Sequence, residues 1–457
     1  MKSLSGSTLR DVLRRSFGFL PAVGILAGLV LGFVLPVVDR ALRIDFGIFS
    51  FTERDSARSL LETIASVTVS VAGVGFSVTI VAFTLASQQL SPRVLRTFQS
   101  DRLSQALLGA FLGTFAFCLV VLATLDAGGE ALPDLSLAVA VLGAIASFAL
   151  FVAFIQNAVV SLQASTLIRR MAADGQASID RRFPAVIGAD PDDPQEALRR
   201  VRERMADGDG LAVRAGRAGF LTELKGEELF EAVRPADALV EQCLPLGDFV
   251  LTGGLLARVW PAPGGDGDHE DLVASVEGAF ALADERTVVY DVAFPVRQLA
   301  DVALRGLSPS LNDPTTAENA MNSLADILVR FAAQPVAPVV RTDVDGEPRL
   351  VAAPPALDDL VRLGFEQVRV KAATYPVVCA RLLVLLGEVE RAAGEHDVPC
   401  GEVVRQARLL REGAEGNVPT RADVEAVAGG PGAGDGQPSD ASSADARSAT
   451  SASATTS

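Results

Sequence analysis

The side chains best suited to chemistry outside the apolar windows lie in SPSLNDPTT, residues 308–316. A tight turn followed by a capped helix explains most of them. On that reading Asp313 is the N-cap, Pro314 takes the first helical position and Glu318 lies in the opening turns. A second reading uses the free N–H groups of the helix start, with Ser308, Pro309, Asn312 and Thr315 around them, to hold an anion or a neighbouring subunit. Asp313 would compete with an anion, so a contact between subunits or with the membrane part is the stronger form. Residues 264–271, GGDGDHED, offer oxygen ligands for Ca²⁺ or Mg²⁺ but lack the twelve-residue EF-hand spacing, and read as a solvated loop. His269 and His396 are the two histidines and both sit on polar ground, so no zinc site or histidine-based catalytic pair is readable. Cys118, Cys243, Cys379 and Cys400 share no ligand spacing and read as thiols of a reducing compartment. There is no GxxxxGK[ST] phosphate loop. The expectation is a protein that is not an enzyme and carries no metal or cofactor.

The elements that position these residues are dominated by the membrane. The chain of 457 residues is 49% apolar with a net charge of −16, and its mean hydropathy is +0.33. The negative charge excludes general nucleic-acid binding, which needs a basic face. Four windows, residues 17–38, 63–90, 103–125 and 135–160, are apolar enough to cross a bilayer. The first follows Arg14 and Arg15, but it is too long for a signal h-region and no small-residue cleavage site closes it, so it is expected to stay as a membrane helix. Gly24, Gly28 and Gly32 within it, and Gly109 and Gly113 in the third window, are spaced by four and allow close helix–helix approach.

The second window is the most unusual. Ser66, Ser70, Gly73, Ser77, Thr84 and Ser87 fall on one helix face, and Thr68, Ala72, Gly75 and Thr79 on the opposite one. A helix small on two sides has neighbours on both, or a neighbour on one side and water on the other. On the water reading the hydroxyls line a path and Gln88 and Gln89 form its inner mouth. The windows hold no ionisable side chain in their interiors, which disfavours a proton- or ion-coupled transporter but not a channel.

Lys2, Arg10, Arg14, Arg15, Arg93, Arg96, Arg102, Arg169, Arg170, Arg181 and Arg182 flank one side of the windows, against Arg40, Arg43, Arg54 and Arg58 on the other. The positive-inside rule then puts residues 1–16 and both termini in the cytoplasm, and the protein in the cytoplasmic membrane as a multi-pass chain. Residues 161–414 read as a cytoplasmic α+β domain. Strands are expected over 211–224, in two pieces around Gly253-Gly254 within 249–260, and over 287–292. Residues 336–341 and 348–352 are expected to pair across Asp345-Gly346. Helices are expected over 225–233, 295–305, 314–331, 356–373, 376–393 and 402–411, with a helical extension of the fourth window to about Met171. Residues 415–457 read as a largely disordered tail.

Three stretches together resemble a family of bacterial predicted membrane proteins of unknown function. They are FSVTIVAFTLASQQLSPRVLRTF (76–98), LGDFVLTGGLLARV (246–259) and RTVVYDVAFPVRQLADVALRGLSPSLNDPTTAENAM (286–321). The resemblance covers most of residues 15–410 and implies four N-terminal membrane helices with a cytoplasmic mixed domain; it implies no activity. Residues 246–259 also have a glycine-turn rhythm similar to modules that carry biotin or lipoate, but the modifiable lysine has no counterpart here. Two functions from different classes follow. In one, copies assemble in the bilayer as a homo-oligomeric channel, the second helix lining the path and the cytoplasmic domain regulating it. In the other, the membrane part is a packed anchor for a binding or scaffolding domain.

Overall fold

The computed structural model describes residues 18–42, 54–89, 102–126, 134–161, 163–181, 183–206, 208–262, 269–334 and 339–417. Residues 1–17, 90–101, the glycines and aspartates at 264–268, and residues 418–457, over which the second window's end, the candidate oxygen ligands and the expected disordered tail fall, lie outside them. Four helices open the chain: α1 (Phe19–Leu42), α2 (Arg54–Gln89), α3 (Arg102–Asp126) and α4 (Asp134–Ser161). Each carries a span long and apolar enough to cross a membrane, Phe19–Asp39, Asp55–Val81, Leu103–Leu125 and Asp134–Asn157. A domain of helices and mixed sheets follows, so the chain is an α-helical membrane bundle joined to an α+β domain.

α3 is the central helix and touches the other three. Its union with α1 is made by glycine. A Cβ placed on Gly24 would lie 2.2 Å from the Gly109 carbonyl oxygen, and one on Gly28 would lie 2.1 Å from that of Gly113. Gly32 faces Val120 in the same way, at 2.8 Å. Because residue numbers rise together along this seam, α1 and α3 run parallel, and the lost side chains let the two backbones approach until dispersion contacts hold them. Gly143 and Ser147 of α4 meet Thr114 of α3, whose hydroxyl lies 3.4 Å from that of Ser147. At the other end of α1, the buried Asp39 accepts hydrogen bonds from the backbone N–H of Leu135 (3.1 Å) and Ser136 (3.0 Å) and from the Ser136 hydroxyl (2.9 Å). It thereby caps the N-terminus of α4 from another helix.

α2 has 36 residues and begins at Arg54, well before the expected start at residue 63. Arg54, Asp55, Arg58 and Glu62 read as a polar connection in the sequence. The helix forms through them because Ala57, Leu61 and Ala65 keep one buried face in step, against Phe117, Val121, Leu125 and Leu137. Arg58 and Glu62 pair on the opposite side at 2.9 Å.

The second domain starts with α5 (Ala164–Asp180), which runs on nine residues beyond the expected Met171. Around it lie α9 (Ala293–Gly306), α10 (Pro314–Ala333), α11 (Leu357–Ala372), α12 (Pro376–Glu395) and α13 (Gly401–Asn417), which share one core of aliphatic residues. A second core belongs to the strands: β1 (Leu211–Arg214), β2 (Gly219–Leu224), β3 (Leu239–Gln242), β4 (Phe249–Val250), β5 (Leu255–Trp260), β6 (Phe280–Ala283), β7 (Val340–Thr342) and β8 (Pro348–Val351). They form a five-stranded sheet of order β1-β5-β3-β8-β7 and a three-stranded sheet β4-β2-β6, with β3 and β8 as the parallel pair. The helices of this half are α6 (Pro194–Met205), α7 (Gly226–Val233) and α8 (His269–Ala279).

The β7–β8 hairpin turns at Gly346, whose φ of +77° suits glycine. The expected strand over 211–224 is two strands in different sheets. The expected strand over 287–292 is not one: the Ser178 hydroxyl and the Arg181 guanidinium take the carbonyls of Val288 and Val289, leaving no ladder to join. The strand here is β6, and β3, α6 and α8 were not anticipated.

Two substitutions test the bundle. Gly28→Leu places a side chain where the α3 backbone runs, and should destabilise detergent-purified protein by about 2 kcal/mol or more, read as a lower thermal midpoint. Gly73→Ala, at a glycine with nothing within 4 Å of a new Cβ, should leave the midpoint unchanged or slightly raised. Equal midpoints for Gly28→Leu and wild type would show that the α1–α3 crossing is wrong.

Candidate functional site

The two small faces of α2 have different surroundings. Thr68, Ala72 and Gly75 are buried, Ala72 and Gly75 against Leu107, Phe111, Phe151 and Phe154 of α3 and α4, continuing the line from Ala57, Leu61 and Ala65. Ser66, Ser70, Gly73, Ser77 and Thr84 are exposed on the outside of the bundle. The side chains of Ser87, Gln88 and Gln89 lie outside the described residues. On the outward face three hydroxyls are already engaged: Ser70 donates to the Ser66 carbonyl (2.8 Å), Ser77 to that of Gly73 (2.9 Å) and Thr84 to that of Ile80 (2.8 Å). The face is thus polar in composition, with the Ser70, Ser77 and Thr84 donors satisfied within the helix, and exposed among the described residues.

The SPSLNDP segment joins α9 to α10. Asp313 is the N-cap of α10, its carboxylate accepting from the Thr316 N–H at 3.0 Å, and Pro314 follows in the first turn. That hydrogen bond holds the Asp313 carboxyl below the ordinary range. The turn closes through Asn312 N–H to the Ser308 carbonyl (2.9 Å), with Asn312 at φ +45°. The Ser308 hydroxyl donates to the Arg305 carbonyl, and the Tyr375 hydroxyl to Asn312 Oδ1 at 3.3 Å. Pro309, Ser310, Leu311, Asn312 and Thr315 remain exposed.

The structure also brings together the two stretches 246–259 and 286–321, which the sequence separates. Asp291 is 4% exposed and receives Arg286 through two hydrogen bonds, 2.7 and 2.8 Å, and the Phe294 N–H at 3.0 Å. Gly247, at φ +92°, packs so closely on that carboxylate that a Cβ would come within 2.2 Å of it. The guanidinium also lies 5.4 Å from the centre of the Phe294 ring. Burial pushes the Asp291 carboxyl above its ordinary value, against the pull of Arg286 and the Phe294 N–H. This junction fastens the start of α9, in the helical half, to the β3–β4 turn of the sheet half.

Two cavities flank the same seam and share Phe183 and Tyr290 as walls. The wider one, about 850 Å³, is lined by Glu223, Glu227, Glu231 and Asp343 with Lys225 and Arg234. The narrower, about 320 Å³, is lined by Ile179, Phe331, Val398 and the rings of Pro184, Pro354, Pro355 and Pro399. Below the first cavity, Asp343 accepts from Arg349 (2.8 Å) and from the N–H groups of Asp345 (3.0 Å) and Glu347 (3.1 Å), while Arg349 also reaches Asp237. Burial raises the Asp343 pKa, but Arg349 and the two N–H groups outweigh it and hold the carboxyl below its ordinary value. The buried Arg341 binds the carbonyl of Ile187 (2.6 Å) and the carboxylate of Asp190. No cluster of three metal-ligating side chains occurs among the described residues. His269 opens α8 and His396 closes α12, far apart in the chain. The four cysteines are free thiols, and burial pushes that of Cys379 up to about 11.

Comparison with known proteins points the same way as the architecture. The model of a family described as "Predicted membrane protein (DUF2254)" matches residues 14–388. The uncharacterized protein Rv1290c of Mycobacterium tuberculosis is 29% identical over 388 residues, covering 83% of this chain and 72% of its own length. The uncharacterized protein Mb1321c of Mycobacterium bovis is 29% identical with the same coverage. No solved structure matches the chain.

The seam makes a prediction with a sign. Asp343 has a folded-state pKa below the ordinary 3.8, so its contribution to stability is present above that value and is lost as pH falls through the lower folded-state one. Asp343→Asn should be less stable than wild type at pH 7 and lose less on acidification below about pH 4, read by the fluorescence of the single tryptophan, Trp260. Arg286→Met should cost about 3–5 kcal/mol at neutral pH by leaving the Asp291 carboxylate buried and alone. Identical acid limbs for wild type and Asp343→Asn would remove the assigned role of Arg349.

Proposed function

This chain belongs to the family of predicted membrane proteins whose model spans it, and from that premise we propose that it is a homo-oligomeric channel. The reading is carried by the outward face of α2. The bundle uses one small face of that helix for its own packing and leaves Ser66, Ser70, Gly73, Ser77 and Thr84 exposed among the described residues. A purely lipid-facing surface has no use for such a run of small and hydroxyl-bearing residues, since close approach is what small residues provide. Copies arranged with this face inward would close around a path lined by hydroxyls, which can replace part of an ion's hydration without titrating. Four helices are too few to enclose such a path within one chain.

The second domain would act as the regulator, on the cytoplasmic side, a placement supported by the excess of arginine flanking that side of the spans. α5 supports that role: it begins at Ala164, just after α4 ends at Ser161, and packs into the helical core through Leu167, Ile168 and Met171. The protein acts by conduction, and catalysis has no part in this reading. A second reading, a membrane-anchored binding protein without conduction, is favoured by the internal hydrogen bonds of Ser70, Ser77 and Thr84, which let the same face rest against acyl chains.

The two are separated by purified protein in planar bilayers. Wild type should give stepwise currents, and Ser70→Leu and Ser77→Leu should abolish them while the oligomer survives. A folded wild type that stays silent under both voltage and tension would leave the anchor as the surviving account.

A further inference from the structure

We propose that the SPSLNDP turn and the neighbouring α11–α12 turn form a second membrane contact, seated in the anionic headgroup layer of the leaflet from which α4 emerges. This contact is independent of whether α2 conducts. It follows from where the turns lie along α5. Gly175 of α5 is level with both α9 and α10, since a Cβ on it would be 2.5 Å from Ile327 and 3.4 Å from Pro295. Further from the membrane, Ser178 and Arg181 hold the carbonyls of Val288 and Val289. So α9 runs back toward α4 while α5 runs away from it. Going from Gly175 to Ala164, from Pro295 to Gly306, and from Ile327 to Thr316 covers the same rise, about 16 Å. The segment between Gly306 and Thr316 therefore stands level with Ala164, the first residue of α5.

The Tyr375–Asn312 hydrogen bond, at 3.3 Å, brings the turn after α11 to the same level. What this end presents is the composition of a membrane interface. Leu311 and Val377 are large apolar side chains, 46% and 72% exposed. Beside them stand the phenol of Tyr375 and the prolyl ring of Pro309. Exposed cations stand on the elements that reach this end, Lys371 in the last turn of α11 and Arg169 and Arg170 in the opening turns of α5, and the one carboxylate of the SPSLNDP turn, Asp313, is engaged in capping α10. Apolar anchors with an aromatic ring between them and basic side chains around are suited to the boundary of headgroups and acyl chains. The chain as a whole carries a net charge of −16, so a basic edge here runs against the general balance and is complementary to anionic lipid. A peripheral contact beside a membrane helix has little further freedom to lose, because the helix already holds it at the surface.

The test uses the full chain reconstituted in vesicles, with Leu311→Trp and Val377→Trp made separately. Both positions are exposed, and the emission of the buried Trp260 in each variant reports whether the fold is kept. The added emission should be blue-shifted, quenched about twofold or more by lipids brominated high on the acyl chains, and shielded from iodide. The quenching should be stronger in vesicles containing phosphatidylglycerol than in pure phosphatidylcholine. Emission at the aqueous maximum, quenched by iodide and untouched by brominated lipid, overturns the proposal. So does shielding from both quenchers that disappears in nanodiscs holding one copy, because the partner would then be a second subunit. Equal quenching in the two lipid mixtures would remove the basic residues from the contact.

Discussion

A polar hydrogen inside hydrocarbon has no water to turn to, and the membrane part of this protein is arranged around that constraint. Ser70, Ser77 and Thr84 on the outward face of α2 answer it locally, each by donating to the carbonyl one turn back. The first N–H groups of α4 cannot do so, because a helix start has no preceding turn. They are met by Asp39, a carboxylate supplied by α1. That single side chain ties the end of the first membrane helix to the beginning of the last. It also fixes where α4 begins, and through α4 the point at which the second domain leaves the bundle.

With hydrogen bonds settled in this way, what remains to hold the helices together is contact distance. Lipid tails are as apolar as leucine, so burial by itself gives helices no reason to associate. The α1–α3 pair solves this by bringing backbones together at Gly24–Gly109 and Gly28–Gly113, where no side chain intervenes. The α2–α3 pair solves it differently, with the larger side chains Phe117 and Phe111 of α3 meeting Ala57, Ala65 and Ala72 of α2. The two solutions have different consequences. A glycine crossing uses its small residues completely and leaves flanks of Leu26, Phe33 and Val37 for lipid. α2 is small on both sides, so packing one side leaves the other unspent.

How much of this was legible in the sequence depends on the range over which each feature is determined. The four apolar windows and the four-spaced glycines are local patterns, and the structure places those glycines opposite one another. The β7–β8 hairpin is likewise local, set by its Asp-Gly turn. The start of α2 was hidden because charge at Arg54, Asp55, Arg58 and Glu62 masked a buried spacing that only α3 gives meaning to. Residues 287–292 have the composition of a strand, but side chains of α5 take their carbonyls, which no window around them could reveal. The Gly247–Asp291 contact joins two motifs about forty residues apart, and only the packed domain shows that the glycine is there to make room for a carboxylate. For α2 the spacing showed two faces, and only the bundle shows which of them it uses.

The second domain is divided into a helical core and a sheet core, and a helix that belongs to one of them leads back to the membrane. α5 is packed on α9 and α10 along its length, closely enough that Gly175 leaves no room for a methyl group. Its far end, at Ser178 and Ile179, forms part of the wall of the narrower cavity between the two cores. Its near end follows directly on α4. A helix of 17 residues, about 25 Å long, is stiff on that scale, so a displacement at the seam cannot be absorbed within it. The displacement must appear either at the two-residue joint after Ser161 or in the position of α4 itself. The proline and aromatic walls of the cavity also resist collapse, and the Arg286–Asp291 pair pins the adjacent start of α9. Both features oppose relative motion of the two cores at this seam, and α5 is the element that joins the seam to the bundle.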